Sequence, residues 1–297
     1  MNATPDDAAL ARELADEVGQ ALLAVRARPG LTGRALRDAG DAAAQAVIAA
    51  RLGRLRPDDE VLSEEAPDSP ARLGARRVWI VDPLDGTREF GEPGRRDWAV
   101  HIALWQDGEL AAGAVSLPAA GLGFATGPAP VLPPRGIRPP DGLLTGAGPV
   151  PGSDAAGEAV GGSGTTDLSA SDLLPVSVGE SVRLVVSRGR APAFAADLAT
   201  ELGASLLPMG SAGAKAAAVW LGLADAYVHA GGQYEWDSAA PVAVARAAGL
   251  HASRLDASPL QYNRPDPWLP DLLICRPELA GPILAWTAHH IPEVTAR

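Results

Sequence analysis

Residues 78–86 combine the pattern of a buried strand with two closely spaced carboxylates. An apolar run over residues 78–81 is followed by Asp82-Pro83 and then by Asp85-Gly86, which favours a strand that stops at this point. Two carboxylates so close repel each other unless a cation lies between them, and hard oxygen ligands of this kind suit Mg²⁺. An ordinary turn is the simpler interpretation of Asp-Pro followed by Asp-Gly. The hypothesis of a cation site therefore depends on other residues.

Further acidic residues lie at the ends of two other predicted elements. Glu64-Glu65 follows a short apolar stretch, and Trp236-Asp237 lies far downstream at the predicted start of a helix. Each has a simpler explanation on its own, since Glu65 is typical of a solvated surface and Asp237 of a helix N-cap. Their combination with the Asp82 motif is much harder to obtain by chance.

These motifs, in this order and spacing, resemble the inositol monophosphatase superfamily of Mg²⁺-dependent, lithium-sensitive phosphatases. The resemblance spans most of the chain and is carried by Glu64-Glu65, by WIVDPLDGT at residues 79–87 and by WDSAAP at residues 236–241. Within the superfamily, Arg88-Glu89-Phe90 and Gly210-Ser211 with Lys215 are more similar to CysQ-type 3′(2′),5′-bisphosphate nucleotidases, in particular their actinobacterial form.

The resemblance implies an α/β fold in which helices and sheets alternate as an α/β/α/β/α sandwich. It also implies hydrolysis of the 3′-phosphate of 3′-phosphoadenosine 5′-phosphate to AMP and phosphate, a reaction of sulfate assimilation. A broader inositol 1-phosphate and fructose 1,6-bisphosphate phosphatase is the alternative, because specificity is set by side chains beyond a shared metal cluster. A non-catalytic metal- or nucleotide-binding regulator is less favoured, since no expected ligand is missing.

The resemblance implies a role for individual residues as well. Two or three Mg²⁺ ions are expected, and their ligands would be Glu64, Asp82, the carbonyl of Leu84, Asp85 and Asp237. Thr87, with Asp41 behind it, would orient the attacking water and remove its proton, which requires a hydroxyl bonded to a carboxylate. The simpler alternatives are that Thr87 caps its helix and that Asp41 stabilises a helix dipole.

Substrate contacts are expected from both ends of the chain. The expected contacts are Glu64, Asp85, Gly86, Thr87, Arg88, Ser211, Lys215 and Asp237. Gly86 would let backbone N–H groups approach a phosphate, while Lys215 and Ser211 would hold a second phosphate or the ribose. The spacing between them departs by one residue from the commoner Gly-Ser-x-x-Lys, which leaves the reach of Ser211 open. Lys215 is the only lysine among 25 basic residues, and arginine does not replace a compact ammonium.

The composition disfavours several other classes of protein. A net charge of −11 argues against a nucleic-acid polymer as partner, which needs a basic surface, whereas bound Mg²⁺ would reverse the local field for a small phosphorylated substrate. No stretch approaches the length of a membrane span, and the single Cys275 lies in an apolar run, so we expect a cytoplasmic protein with a buried thiol. A homodimer is usual in the superfamily. The five histidines, including His101, are interpreted as structural.

The chain divides into three predicted segments. Residues 1–126 form an N-terminal α+β half with most of the metal site, and residues 173–297 form a C-terminal α/β half that completes it. The intervening residues 127–172 are predicted to be a disordered insertion, because 18 of the 39 residues from 127 to 165 are Gly or Pro. The first helix is predicted to have Thr4 as its cap. Its predicted buried face consists of Leu10, Leu14, Val18, Leu22 and Val25.

Overall fold

The computed structural model describes residues 6–135, 137–140, 142–146, 174–175 and 181–291. The first elements are α1 (Asp7–Arg26), α2 (Gly33–Leu55), β1 (Glu60–Ser63), β2 (Arg77–Asp85), α3 (Thr87–Phe90), β3 (Ala99–Gln106), β4 (Glu109–Leu117) and β5 (Leu122–Ala125). They are followed by β6 (Ile137–Arg138), β7 (Leu174–Pro175), β8 (Arg183–Ser187), α4 (Ala195–Glu201), β9 (Ser205–Met209) and α5 (Ala212–Trp220). The last are β10 (Ala226–Tyr234), α6 (Glu235–Ala247), β11 (His251–Ser253), β12 (Trp268–Cys275) and α7 (Pro277–His290).

Two five-stranded mixed sheets contain most of these strands. The first has the order β1-β2-β3-β4-β5, with β1 parallel to β2 and the remaining pairs antiparallel. The second has the order β11-β12-β10-β8-β9, with β8 parallel to both of its neighbours and β12 antiparallel to β10 and β11. The short strands β6 and β7 pair with each other.

The sheets and helices form five alternating layers. Successive side chains of a strand point to opposite faces, so Trp79 and Val81 of β2 pack with α1 and α2. Val78 and Ile80 face the other way and pack with α5 and α6, which lie between the two sheets. Helices α4 and α7 cover the outer face of the second sheet. The predicted α/β/α/β/α sandwich is therefore confirmed.

Helix α1 shows the predicted buried face but starts later than the predicted cap. The residues of that face, Leu10, Leu14, Val18, Leu22 and Val25, are at most 1 % exposed. Asp6 is the N-cap, and its carboxylate accepts a hydrogen bond from the backbone of Ala8. Thr4 lies outside the described residues.

The structure describes part of the Gly/Pro-rich segment, up to residue 146, and residues there contact the second half of the chain. Arg138 is buried and donates from Nη1 to the carbonyls of Gly222 and Leu223, at 3.0 Å each, and from Nη2 to Asp225. Leu143 and Leu144 belong to the central core, with 1 % exposure each. Composition alone does not reveal that these two apolar residues and this arginine dock on the second half. Residues 147–173 lie outside the described residues.

Two expectations from composition can be compared with the structure. Cys275 is buried in β12, and burial raises the pKa of its thiol to about 12, so the predicted buried thiol is confirmed. In the described part of the chain, the helices fall short of the length and apolarity that crossing a membrane requires.

Candidate active site

A cleft of about 400 Å³ lies where the end of β2 meets the beginnings of α5 and α6. The carboxyl end of β2 contributes the floor of the cleft, and α3 follows it directly. The lining residues are Glu64, Asp82, Leu84 to Glu89, Ser187 to Arg190, Gly210 to Ala212, Lys215, Tyr227, His229, Gln233 and Asp237. Residues from both halves of the chain therefore line the cleft.

Three carboxylates gather on the floor of this cleft. Asp82 and Asp85 come from the end of β2, and Asp237 comes from the first turn of α6. One oxygen from each lies within 4.8 Å of the others. Asp237 also accepts a hydrogen bond from the backbone of Tyr234 at 2.7 Å, so one carboxylate both caps α6 and faces the cluster. Buried carboxylate oxygens at this spacing fit a hard divalent cation.

Most of the acidic groups here hold their protons unusually tightly. Burial, followed by the charges of Asp85 and Glu64, raises the pKa of Asp82 well above its ordinary value. Burial and the neighbouring acids also raise the pKa of Glu64 to about 7 and that of Asp237 to about 6. The cluster therefore concentrates more negative charge than the protein alone neutralises, as expected of a site that binds cations.

Asp85 behaves in the opposite way. Its Oδ2 accepts hydrogen bonds from the hydroxyl of Ser211 and from the backbone N–H of Gly213, the latter at 2.7 Å. Nε2 of His101 lies 3.1 Å from the same oxygen. Burial alone would raise the pKa of Asp85, but His101, followed by Lys215 and Ser211, holds that pKa below its usual range. The protein itself thus stabilises Asp85 as a carboxylate.

Ser211 and Lys215 both make their hydrogen bonds inside the protein. The Ser211 hydroxyl caps α5 by accepting from Ala214 at 2.9 Å and donates to Asp85. The Lys215 ammonium donates to the carbonyls of Gly210 and Ser211, and burial lowers its pKa to about 8 although nearby carboxylates oppose the shift. The structure therefore brings both predicted residues to the cleft, with the Ser211 hydroxyl already occupied by Asp85.

Gly86 adopts a backbone conformation that only glycine adopts easily. Its φ is +83°, and a Cβ at this position would lie 2.9 Å from Cβ of Ser211 and 3.3 Å from the carbonyl oxygen of Asp97. Both the left-handed conformation and the close approach favour glycine. Through this contact, the strand end that carries Asp85 and the start of α5 come together.

Thr87 and Asp41 do not form the predicted hydrogen-bonded pair among the described residues. The Thr87 hydroxyl donates instead to the carbonyl oxygen of Leu84 at 3.0 Å. Asp41 lies in α2, outside the lining of the cleft. Burial, followed by the charges of Glu65 and Asp38, raises the pKa of Asp41 to about 7. The neighbouring Gly40 allows α2 to pack closely on Phe90 and Leu84.

Three arginines lie at the rim of the cleft, and two were not predicted. Arg188 forms ion pairs with Glu89 at 2.7 Å and with Glu92 at 2.8 Å, and Arg88 lies 3.4 Å from Glu92. Arg190 is exposed and has no carboxylate partner among the residues that the structure describes. The available signal was the sequence Ser-Arg-Gly-Arg at the end of β8, because strand ends commonly meet at a ligand site.

His101 was interpreted as structural, yet the structure places it beside Asp85. It is fully buried on β3, and its Nδ1 lies 3.0 Å from the carbonyl oxygen of Trp236 in α6. A Cβ on Gly213 would lie 2.2 Å from Nε2 of His101. Nothing in the local sequence pattern indicates this contact, because it depends on how α5 and α6 pack on the first sheet.

Known proteins match this chain over most of its length. A model described as the inositol monophosphatase family matches residues 8–280. The chain belongs to the inositol monophosphatase family. Its fold also matches the crystal structure of CysQ from Bacteroides thetaiotaomicron, a bacterial member of that family, with a TM-score of 0.68 and 25 % identity over 91 % of this chain and 97 % of that one. The family predicted from the sequence is thereby confirmed.

Within the inositol monophosphatase family, the chain is similar to nucleotide phosphatases. It is 48 % identical over 283 residues to a 3′-phosphoadenosine 5′-phosphate phosphatase of Mycobacterium leprae, covering 94 % of this chain and 92 % of that protein. It is 30 % identical over 226 residues to the 3′(2′),5′-bisphosphate nucleotidase CysQ of Shigella flexneri, covering 76 % and 78 %. The predicted similarity to the CysQ type is also confirmed.

Proposed function

We propose that the protein hydrolyses the 3′-phosphate of 3′-phosphoadenosine 5′-phosphate, giving AMP and phosphate, with Mg²⁺ as cofactor. The observation that carries the proposal is a buried cluster of carboxylates on the floor of a cleft whose rim bears an arginine without a carboxylate partner among the described residues. A dianionic phosphate can bind beside carboxylates only if cations are present. A second anionic group on the substrate would meet the positively charged rim.

The proposed metal ligands are Glu64, Asp82, the carbonyl oxygen of Leu84, Asp85 and Asp237, for two or three Mg²⁺ ions. Bound Mg²⁺ would supply positive charge for the phosphate and lower the pKa of a bound water. The clustered oxygens of Asp82, Asp85 and Asp237 support this assignment, as do the raised pKa values of Glu64 and Asp82.

The proton acceptor in this proposal is Asp41. A carboxyl group whose pKa is about 7 is well matched to accepting a proton near neutral pH. Thr87 is proposed to orient the attacking water. Its bond to the Leu84 carbonyl keeps the hydroxyl beside a proposed metal ligand.

Arg190 is our leading candidate for binding the second phosphate. The positive charge of Arg188 is balanced by Glu89 and Glu92, and the Lys215 ammonium donates to two backbone carbonyls. Arg190 has no such partner in the described chain, and it lies at the rim of the cleft. Arg88 and Lys215 are proposed as supporting positive charges, and Gly86 and Ser211 as neighbours of the reacting phosphate.

A comparison of substrates tests the proposal. Phosphate release would be measured with 3′-phosphoadenosine 5′-phosphate, inositol 1-phosphate and fructose 1,6-bisphosphate, and we expect the highest kcat/KM for the nucleotide. Preference for either of the other substrates would favour the broader phosphatase, and no release from any of them would favour a non-catalytic binding role.

Substitution of Arg190 tests the contact with the second phosphate. Loss of one hydrogen bond to a charged group costs about 1.5 to 3 kcal/mol, so Arg190→Gln should lower kcat/KM for the nucleotide roughly ten- to hundredfold and leave inositol 1-phosphate nearly unaffected. Arg76→Gln is the matched control, because Arg76 pairs with Asp107 on the exposed hairpin between β3 and β4. An equal loss on both substrates would place Arg190 at the reacting phosphate.

We further infer that the protein acts in the cytoplasm as a homodimer. The lone buried thiol of Cys275 is consistent with a reducing compartment, and dimers are usual in the family. Sedimentation of the purified protein would test the oligomeric state.

A further inference from the structure

The side chain of His101 lies between two groups that belong to different parts of the site. Its Nε2 is 3.1 Å from Oδ2 of Asp85, an ion-pair contact whose direction departs from that of an ideal hydrogen bond. Its Nδ1 is 3.0 Å from the backbone carbonyl oxygen of Trp236. Asp85 ends β2, whereas Trp236 is in the first turn of α6, next to Asp237. One fully buried side chain therefore contacts both elements that carry the clustered carboxylates.

Among the described residues, the hydrogen bonds and the ion-pair contact of the Asp85 carboxylate are all made at Oδ2. Ser211 donates from its hydroxyl, Gly213 donates from its backbone, and His101 approaches, all at Oδ2. A carboxylate held in this way has a fixed rotation about its terminal bond, and the other oxygen, Oδ1, is left for a cation. Groups that orient a metal ligand in this manner contribute to metal affinity without touching the metal.

His101 is the only one of these three donors that also reaches α6. Ser211 and Gly213 both belong to the start of α5, so their hydrogen bonds tie Asp85 to that helix. The contact with the Trp236 carbonyl ties the position of Asp85 to that of the helix that carries Asp237. The imidazole ring thus bridges the two elements that carry Asp85 and Asp237, and it helps to set the distance between their carboxylates. A cation shared by the two carboxylates depends on that distance.

We propose that His101 is a positioning residue that orients Asp85 for metal binding and sets its distance from Asp237. This inference rests on the metal-ligand roles proposed above. It assigns to a buried histidine on β3 a function that the sequence pattern alone does not suggest.

Three substitutions at position 101 separate the two contacts. The amide nitrogen of glutamine can take the place of Nε2 and that of asparagine the place of Nδ1, while leucine replaces neither. Val115→Ala is the control for lost packing, because Val115 is buried and lies directly opposite His101 on β4. The readout is Mg²⁺ binding to the full-length, substrate-free protein, measured by isothermal titration calorimetry, together with kcat and KM at saturating Mg²⁺.

We expect His101→Leu and His101→Asn to weaken Mg²⁺ binding about ten- to hundredfold, and His101→Gln, which keeps the contact with Asp85 and loses that with Trp236, to restore part of it. Val115→Ala should bind Mg²⁺ as the unmodified protein does. Unchanged affinity in the leucine variant, or better binding by asparagine than by glutamine, would overturn the role of His101. If the leucine variant fails to fold, the comparison of asparagine with glutamine decides the question. Failure of the unmodified protein to bind Mg²⁺ would instead overturn the metal site itself.

Discussion

Two sides of the same acidic cluster are built in opposite ways. On the side of α5, Asp85 is surrounded by Ser211, Gly213 and His101, and its pKa is held low. On the side of β1, Asp82 and Glu64 receive less support from the protein, and their pKa values are raised by burial and by neighbouring carboxylates.

The difference shows how such a site can hold one ligand in place before a cation binds and still gain electrostatic energy when the cation binds. Asp85 is oriented in advance by donors, which lowers the cost of fixing a ligand when the metal binds. Asp82 and Glu64 retain an electrostatic penalty that only a proton or a metal ion relieves. Substitutions on the two sides should therefore have different consequences for stability and for metal binding.

The largest expected effect is on catalysis, from the side with little internal support. Asp82→Asn removes a negative charge from the centre of the cluster, and a bound metal is worth several kcal/mol in such reactions. We therefore expect kcat/KM for phosphate release to fall on the order of a thousandfold at excess Mg²⁺. Asp107→Asn, on the exposed hairpin, is the matched control. Activity of the Asp82 variant within about tenfold of normal would mean that this side is not the metal site.

The second effect is on stability in the absence of metal, and its sign should differ between the two sides. Asp85→Asn replaces a carboxylate that accepts two hydrogen bonds and lies beside His101, so it should lower the free energy of unfolding by about 1–3 kcal/mol. A carboxyl group whose pKa is raised in the folded state destabilises the fold when ionised, so Asp82→Asn should leave stability at pH 8 unchanged or increase it.

Denaturant unfolding in the presence of a chelator gives the free energy of unfolding of both variants and of the unmodified protein. Equal destabilisation by Asp82→Asn and Asp85→Asn would mean that the protein supports the two carboxylates equally. With Mg²⁺ added, the unmodified protein should gain stability by mass action, and both variants should gain less.

The smallest effect concerns one donor on the well-supported side. Ser211→Ala removes a hydrogen bond to Asp85 and the N-cap of α5, which together should cost about 1 kcal/mol or slightly more. Ser211→Thr keeps the hydroxyl and serves as the comparison. If the alanine variant were as stable as the unmodified protein, Gly213 and His101 would suffice to hold Asp85.

The part of the site that the sequence predicted is the part encoded by short-range spacing. Asp82 and Asp85 are three residues apart at the end of one strand, and Trp236-Asp237 opens a helix. Each has a simpler explanation alone, and the order of these motifs along the chain carried the family resemblance that assigned their roles. The layered fold was implied by the family resemblance, and the apolar periodicity of α1 and β2 appears in the structure as buried faces.

The remainder depended on contacts between residues far apart in the chain. Ser211 and Asp85 are 126 positions apart, and the expectation that Ser211 would contact substrate did not take account of this bond. His101 follows the alternation of an ordinary buried strand, and only the packing of α6 brings Trp236 to its ring. Leu143 and Leu144 were hidden by the many Gly and Pro residues around them, although two buried apolar side chains are enough to anchor a short segment.

The close approach of Gly213 to His101 also restricts which substitutions this site can accept during evolution. Since a methyl group on residue 213 would occupy the space of the imidazole ring, the two positions are not free to vary independently. An alanine introduced at 213 while His101 is present would push the ring away from Asp85, whereas after a smaller residue had replaced His101 the same alanine would still meet the Cβ of Ala99, 2.8 Å away. Either mutation alone would disturb the metal site, by displacing the ring or by removing it, so lineages that keep the histidine are expected to keep the glycine.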